Sequence, residues 1–97
     1  MNNTFDFLKS PKDISLEIVE RVKRKRKENK VTQEQLSKLA DVSLGSIKRF
    51  ERTGEISLTS LLKIAFVLDC EDDFKNLFSK KGYSSIQEVI DEQKKGS

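Results

Sequence analysis

Residues 32–51, TQEQLSKLADVSLGSIKRFE, decide the fold because they contain the signals for two short helices that follow each other closely. Thr32 is a preferred N-cap residue, and Gln35 stands three positions later, where a capping box has Glu or Gln. Together these two residues predict a helix over about residues 33–40. A second start signal follows only a few residues further along the chain.

The second helix of the pair is predicted to begin after Ser43, another preferred N-cap residue, and to cover about residues 44–52. Only residues 41–43 are left for the turn, and Gly54 follows the helix where a left-handed residue often ends one. So short a turn makes the second helix cross the first at a steep angle and stand out from the body. A helix placed in this way fits the major groove of DNA, which is about 12 Å wide.

Apolar and polar residues separate onto two sides of this unit. Apolar residues occupy the positions that hold the two helices together: Leu36, Ala40, Val42, Ile47 and Phe50. Polar or small residues occupy the outer side of the second helix: Ser43, Gly45, Ser46, Lys48, Arg49 and Arg52. An ordinary helical hairpin would have the same apolar spacing, so this pattern alone leaves both interpretations open.

The rest of the chain predicts further helices and no strand. Helices are predicted from Pro11 to about Asn29 and over about residues 58–68, 71–78 and 85–93, the last being too short to be stable without packing. The fold class is therefore all-α, with five helices and a short sixth one at the C-terminus. Further side chains predicted to face the core are Ile14, Ile18, Val19, Val22, Leu39, Leu58, Leu61, Leu62, Ala65, Leu68, Phe74, Leu77 and Phe78.

One compact domain is predicted over residues 10–80, because a chain of 97 residues suits a single core. Residues 1–9 are predicted to form an N-terminal tail, and residues 81–97 a C-terminal tail or the short sixth helix. The motif of two helices spans residues 32–52 within this domain.

The two halves of the chain differ in charge. Residues 1–52 contain 13 Lys and Arg against 8 Asp and Glu, whereas residues 53–97 contain 6 against 8. The net charge of the whole chain is +3. A basic half of this kind suits a polyanion such as nucleic acid, although a solvated surface with uneven charge has the same totals.

Composition excludes several chemical classes. The chain has no histidine and a single cysteine, Cys70, so it cannot build a zinc site from Cys and His ligands or form an internal disulfide. It has no phosphate-binding glycine loop and no histidine for acid–base work, so no enzyme activity, metal or cofactor is predicted. No run approaches the ~18 apolar residues of a membrane span, and no signal peptide is recognisable, which predicts a cytoplasmic protein without a membrane partner.

A recognisable pattern extends over about residues 14–78. It consists of Arg26, Thr32-Gln33-Glu34, Leu36, Val42-Ser43, Ser46-Ile47, Glu51, Gly54, Ser57-Leu58 and Leu61-Leu62-Lys63-Ile64-Ala65. With these residues the sequence resembles the lambda-repressor-like, Cro-type (XRE) helix-turn-helix family. The resemblance implies a five-helix bundle that binds double-stranded DNA as a homodimer on a palindromic operator, and repression is the mode of regulation that we expect.

The resemblance also implies which residues contact DNA. The residues implied to face the bases are Ser43, Leu44, Gly45, Lys48 and Arg49. Those implied to hold phosphates are Arg26, Thr32, Gln33, Ser46, Arg52 and Thr53. An ion pair between Arg26 and Glu51 is implied as well, and a planar guanidinium suits a carboxylate and a phosphate together.

Two departures from the family pattern affect these expectations. Asp41 stands in the turn where the family favours Gly, and Asp adopts the left-handed conformation less readily than Gly. Leu44 and Gly45 stand where many relatives have polar residues that read bases. Lys48 and Arg49 therefore become the strongest candidates for reading bases, with guanine as the favoured partner, and Leu44 is predicted to touch a thymine methyl group.

An apolar surface outside the central pair of helices has two interpretations. A dimer interface is the first, and burial by the two tails is the second. The candidate residues are Phe66, Val67, Phe74 and Phe78. The role of the predicted sixth helix also has several interpretations. Through Ile86, Val89 and Ile90 it could cap the core, exchange between subunits or dock a partner.

Residues 43–57 are similar to regulators that are paired with HipA-type kinase toxins, and residues 72–78 fit the same subgroup. This closer resemblance implies an alternative role as an antitoxin that binds and neutralises a kinase toxin and represses its own operon. A kinase toxin is therefore the alternative protein partner. A neighbouring toxin gene would favour this alternative, and an isolated gene would favour a plain regulator.

Overall fold

The computed structural model of the chain describes residues 9–81, 90, 91 and 93. Five helices lie in this part of the chain, and no strand is found among the described residues. Their bounds are Pro11–Glu28 for α1, Gln33–Ala40 for α2, Leu44–Thr53 for α3, Leu58–Val67 for α4 and Asp72–Lys75 for α5. The predicted all-α fold with five helices is thereby confirmed.

The predicted sixth helix and N-terminal tail fall mostly outside the described residues. Of residues 85–93, only 90, 91 and 93 are described, and all three are helical. Of residues 1–9, only Lys9 is described. No helix in the described part of the chain is both long and apolar enough to cross a membrane.

The four longer helices each begin at an N-cap that the sequence indicates. The side-chain oxygen of each cap accepts a hydrogen bond from the backbone N–H three residues later, which satisfies a donor that the helix itself leaves free. At the start of α1, hydrogen bonds from the backbone N–H and the hydroxyl of Ser10 also hold the pKa of Asp13 below its usual value. The caps are Ser10, Thr32, Ser43 and Ser57.

The core lies where α2 packs against α3 and α4 and where α1 packs against α3. Each of the four longer helices contributes one side chain with at most 1% of its surface exposed, and these are Val19, Leu36, Ile47 and Ile64. Because all four side chains are enclosed, the helices share one core and α3 is held firmly on the body of the domain.

Some residues predicted to face the core lie at the surface instead. They are Ile14, Leu39, Leu58, Leu77 and Phe78. In α1, an i, i+4 series that starts at Ile14 drifts around the helix by roughly 40° at each step. The buried side of α1 is centred near Val19, which is 1% exposed, so Ile14 falls outside it. In α2 only Leu36 and Ala40 are buried, so the buried side is narrower than predicted.

The buried side of α4 agrees only in part with the predicted one, since Ala65 and Leu68 are buried as predicted. The sequence spacing places Ile64 outside the apolar stripe, but the structure buries it together with Ala65 and Leu68. Leu58 consequently lies at an exposed edge. Because α4 is apolar around most of its circumference, its periodicity does not define a single inner side.

The fifth helix is shorter than predicted, since α5 ends at Lys75. Phe74 is half-buried, but Leu77 and Phe78 follow the end of the helix and are exposed. Phe78 has a left-handed φ of 62°. Helical spacing therefore no longer applies after residue 75, and the prediction that Leu77 and Phe78 face inward is wrong.

The ends of α2 and α3 both use a residue with a left-handed backbone. Asp41 ends α2 with a φ of 55°, and Gly54 ends α3 with a φ of 82°. The backbone at Gly54 also passes close to α1, because a Cβ added there would lie 2.9 Å from the Cβ of Ser15. Lys12 Nζ donates a hydrogen bond of 2.5 Å to the carbonyl oxygen of Thr53, which fastens the same end of α3 to α1.

Candidate nucleic-acid interface

The outer side of α3 is the candidate contact surface. The inner side of this helix is formed by Ile47 and Phe50, which are 0% and 2% exposed. The residues on the opposite side are all exposed, and they are Gly45, Lys48, Arg49 and Arg52. The structure therefore brings three cations and a glycine together on one helix face that is free of the core.

The only acid within α3 is Glu51, whose side chain is 6% exposed. Arg26 of α1 binds it with two hydrogen bonds, from Nε to Oε2 at 2.8 Å and from Nη2 to Oε1 at 3.0 Å. The guanidinium neutralises the carboxylate beneath the surface. The outer side of α3 therefore carries positive charge with no opposing acid from its own helix.

Two further hydrogen bonds extend this ion pair into a network. Arg26 Nη1 donates to the carbonyl oxygen of Val31 at 2.9 Å, and Gln33 Nε2 donates to Glu51 Oε1 at 2.9 Å. The network joins the end of α1, the α1–α2 connection, the start of α2 and α3. Because the guanidinium is a rigid planar fork, these bonds fix the orientation of α3 on the domain.

Three of the residues implied to hold phosphates, Arg26, Thr32 and Gln33, lie around the start of α2. Each of them already takes part in hydrogen bonds within the protein. The Arg26 side chain is 11% exposed, and Nε, Nη1 and Nη2 each donate a hydrogen bond within the protein. Gln33 is half-buried and directs its amide nitrogen to Glu51. Thr32 caps α2 by accepting a hydrogen bond of 3.0 Å from the backbone N–H of Gln35. The start of α2 still offers the positive end of the helix dipole.

Two serines mark the start of α3. Ser43 Oγ accepts a hydrogen bond of 3.1 Å from the backbone N–H of Ser46 and donates one of 2.8 Å to Ser46 Oγ. Both residues are exposed, whereas Leu44 beside them is half-buried. The Ser46 hydroxyl keeps its own proton, which it can donate to a phosphate that approaches this end of the helix.

Arg49 is paired with an acid that the sequence analysis missed. Its Nη2 lies 2.5 Å from Glu55 Oε1, and both side chains are more than half exposed. The hydroxyl of Thr53 lies beside the pair and donates to the carbonyl oxygen of Arg49 at 2.7 Å. An exposed ion pair contributes at most about 1 kcal/mol, so Arg49 can leave Glu55 at little cost. Lys48 and Arg52 form no ion pair within the described part of the chain.

The space around Gly45, near the start of α3, is unoccupied, because a Cβ added there would have no heavy atom within 4 Å. We expect Gly45→Ala to stabilise the protein by up to about 1 kcal/mol, since Ala loses less backbone entropy than Gly when a helix forms. Urea unfolding followed by circular dichroism measures the change. A clear loss of stability would mean that position 45 is not open.

The four residues predicted to form a dimer interface differ in exposure. Phe66 and Phe78 are 66% and 99% exposed. Val67 is half-buried and packs partly against the core, and Phe74 is also half-buried. Phe66 and Phe78 expose the most apolar surface of the four, so they are the better candidates for a protein contact.

The described residues favour neither metal binding nor thiol chemistry. Across residues 9–81, 90, 91 and 93, no three His, Cys, Asp or Glu side chains are grouped so that they could hold a metal ion. Burial raises the pKa of the Cys70 thiol; Lys25 opposes this effect, and the carboxylates of Asp73, Asp69 and Glu71 add to it. A thiol with a raised pKa is mostly protonated at neutral pH and is a poor nucleophile.

The sequence that forms this site matches that of a known family. The model of a family described as Helix-turn-helix matches residues 22–74. This range begins in α1, before Arg26, and ends in α5, so it includes the buried network and the whole of α3. Neither a curated protein nor a solved structure matches the chain.

Proposed function

Because the chain belongs to the helix-turn-helix family of DNA-binding regulators, we propose that it binds a specific operator through α3 and represses transcription as a homodimer. The observation that carries this proposal is the charge arrangement of α3. Lys48, Arg49 and Arg52 lie on its outer side, while its only acid, Glu51, is buried against Arg26. Such a surface attracts the phosphates of DNA without a competing carboxylate in the same helix.

Base reading is assigned to the exposed side of α3. Lys48 and Arg49 donate to the O6 and N7 atoms of guanine in the major groove, and Leu44 contacts a thymine methyl group. Ser43 and Gly45 form the rest of the surface that faces the bases. Because Gly45 has no side chain, the helix backbone can approach the floor of the groove closely at this point.

Phosphate contacts position α3 without reading sequence. We assign these contacts to Ser46, Arg52 and Thr53 on α3 and to Thr32 and Gln33 at the start of α2. Arg26 has a different role from these residues, because it is buried and bound to Glu51. It acts as a positioning residue that sets the angle of α3, and any phosphate contact that it makes is secondary.

The homodimer follows from the shape of such operators. A palindromic site has two-fold symmetry, and two copies of one chain bind it with the same symmetry. Phe66 and Phe78 supply exposed apolar surface for the contact between the copies, and Val67 and Phe74 extend it. A protein of this kind acts in the compartment that contains the DNA, and we propose that this compartment is the cytoplasm.

Lys48→Ala or Arg49→Ala is expected to weaken operator binding by about 1–3 kcal/mol, or roughly 5–150-fold, and to relax base preference at one position in each half-site. Binding to a library of operator variants measures both effects. Lys63→Ala is a matched control, because Lys63 is an exposed lysine on α4 rather than α3. If both α3 variants kept the base preference of the unaltered protein, the assignment of these two readers would be wrong.

Binding of the purified protein to its own upstream DNA tests the proposal as a whole. Fluorescence anisotropy over a series of salt concentrations, with scrambled DNA as the control, separates specific from non-specific binding. We expect the upstream fragment to bind about 10³-fold more tightly than the control, and the affinity to fall steeply with salt. Equal and weak binding to both fragments would contradict an autoregulated operator.

An antitoxin is the second candidate function. It is supported by the similarity of residues 43–57 to regulators that are paired with HipA-type kinase toxins, and by the exposed side chains of Phe66 and Phe78, which suit a protein partner. In this role the chain would bind and inhibit the kinase and repress the shared operon. Inhibition of a kinase encoded beside the gene, measured by its autophosphorylation, would favour this function, and no inhibition would leave a plain regulator.

A further inference from the structure

The turn that ends α3 brings an acid back onto the outer side of that helix. The hydroxyl of Thr53 donates a hydrogen bond of 2.7 Å to the carbonyl oxygen of Arg49 and accepts one of 3.2 Å from the backbone N–H of Glu55. Gly54, with its left-handed φ of 82°, turns the chain between these two contacts. The backbone of the turn therefore holds the Glu55 carboxylate beside α3, where it lies 2.5 Å from Arg49 Nη2.

Glu55 is the acid that remains at the surface in this part of the chain. Residues 44–68 contain two acids, Glu51 and Glu55. Glu51 is neutralised beneath the surface by Arg26. By contrast, the side chains of Glu55 and Arg49 are 59% and 63% exposed. Any anion that approaches the Arg49 guanidinium from solvent consequently also approaches the Glu55 carboxylate.

We propose that Glu55 is a positioning residue that makes Arg49 select a guanine base in preference to a phosphate, an inference that rests on the proposed binding of an operator through α3. A phosphate bound to Arg49 brings a second negative charge next to the Glu55 carboxylate, and the two charges repel each other. The O6 and N7 atoms of guanine are uncharged acceptors, so a guanine brings no such repulsion. Glu55 thereby penalises the contact that every DNA sequence offers and spares the contact that one base offers.

Arg49 has enough hydrogen-bond donors to bind guanine while it remains paired with Glu55. A guanidinium has five N–H donors in a fixed plane, and the bond to Glu55 uses one of them. Four donors remain, and guanine accepts two hydrogen bonds in the major groove. The pair also restricts the rotation of the guanidinium, so less side-chain entropy is lost when the base binds.

Replacement of the acid by its uncharged amide tests this role. Glu55→Gln and the unaltered protein are compared on two DNA duplexes, one selected by the unaltered protein from a random pool and one of scrambled sequence. We expect Glu55→Gln to bind the scrambled duplex about three- to fivefold more tightly, the size of effect that an exposed ion pair allows. Its affinity for the selected duplex should stay nearly the same, so the ratio of the two affinities falls.

The dependence of binding on salt gives a second readout that a purely structural role would not change. Each additional phosphate that a protein neutralises steepens the plot of log affinity against log salt by about 0.9. We therefore expect Glu55→Gln to show a steeper slope on the scrambled duplex, by up to that amount for each Arg49 that is released. An unchanged affinity and slope on the scrambled duplex would overturn the proposal.

Asp72→Asn is the matched control for net charge. It removes the same charge from another exposed ion pair, in which Asp72 Oδ1 lies 2.8 Å from Lys75 Nζ on α5. We expect it to leave the affinity for the scrambled duplex and the ratio of the two affinities nearly unchanged. An equal gain in Asp72→Asn and Glu55→Gln would overturn the proposal, because net charge alone would then explain the effect.

The same substitution in an Arg49→Ala protein shows whether Glu55 acts through Arg49. Without the guanidinium, Glu55→Gln should no longer change the salt slope or the ratio of the two affinities. The same gain in both backgrounds would mean that Glu55 repels phosphates directly, and it would overturn the role of Glu55 as a positioning residue.

The two duplexes separate this proposal from the proposed operator binding. If the unaltered protein selected no sequence from the random pool, operator binding would fail, and the scrambled duplex would still decide whether Glu55 restrains Arg49. If the unaltered protein selected a sequence and Glu55→Gln bound both duplexes as the unaltered protein does, only the role of Glu55 would fail.

Discussion

Arg26→Ala is expected to destabilise the protein by about 3–5 kcal/mol, because it leaves the buried carboxylate of Glu51 without its counter-ion. The Glu51 side chain is 6% exposed, so water cannot replace the two hydrogen bonds that the guanidinium supplies. A small domain has a total stability of about 5–15 kcal/mol, so the variant would lose a large part of it. Thermal unfolding should show Tm lowered by more than about 12 °C.

Two further variants separate the charge from the geometry. Arg26→Lys keeps the positive charge but cannot bind both Glu51 oxygens and the Val31 carbonyl oxygen at once, so its loss of stability should be smaller than that of Arg26→Ala. The double variant Arg26→Met/Glu51→Met removes both charges and should be more stable than Arg26→Ala alone. If Arg26→Ala cost less than about 1 kcal/mol, the pair would behave as an exposed ion pair and the buried network would be contradicted.

Gly54→Ala is expected to destabilise the protein by about 2–4 kcal/mol for two separate reasons. The φ of 82° lies in the left-handed region that L residues avoid. The added Cβ would also lie 2.9 Å from the Cβ of Ser15, so the start of α1 and the end of α3 must move apart. Urea unfolding followed by circular dichroism measures the loss.

The two causes can be told apart with a double-mutant cycle. Ser15→Gly removes the Cβ that the new methyl group meets, so it should recover the steric part of the loss but not the part that arises from φ. Gly45→Ala is the matched control, because it makes the same substitution in α3 where the added Cβ meets no atom within 4 Å. Equal effects of Gly45→Ala and Gly54→Ala would show that neither the backbone angle nor Ser15 matters.

The sequence predicts those features of the fold whose causes are local. An N-cap such as Thr32 bonds to a backbone group three residues away, so the starts of the helices can be recognised from neighbouring residues alone. The left-handed ends at Asp41 and Gly54 depend on single residues in the same way. The bounds of α1 to α4 accordingly agree with the predicted ones to within one residue or two.

Which side of a helix faces the core was harder to predict, because it depends on the packing of all the helices together. Ile64 and Leu58 are equally apolar, and only the position of α4 against α2 decides that Ile64 is the one buried. In α5 the helix ends early, and Phe78 turns to the surface.

The candidate site shows the same division between local and distant causes. The pairing of Arg26 with Glu51 could be expected only from the resemblance to a family, since the two residues are separated by 25 positions. The bond of Gln33 to Glu51 and that of Arg49 to Glu55 depend on the paths of side chains in space. No periodicity or cap signal in the sequence indicates either of them.

The open space at Gly45 has a consequence for how such regulators diverge after gene duplication. Most changes in a small protein risk its folding, so a new specificity usually evolves at some cost in stability. At position 45 a new side chain meets no atom of the protein within 4 Å and points where we place the bases. In the complex that we propose, such a side chain would hold the helix backbone back from the floor of the groove and would meet different base edges. A single codon change there would then give one daughter gene a different operator, while the other keeps the ancestral one.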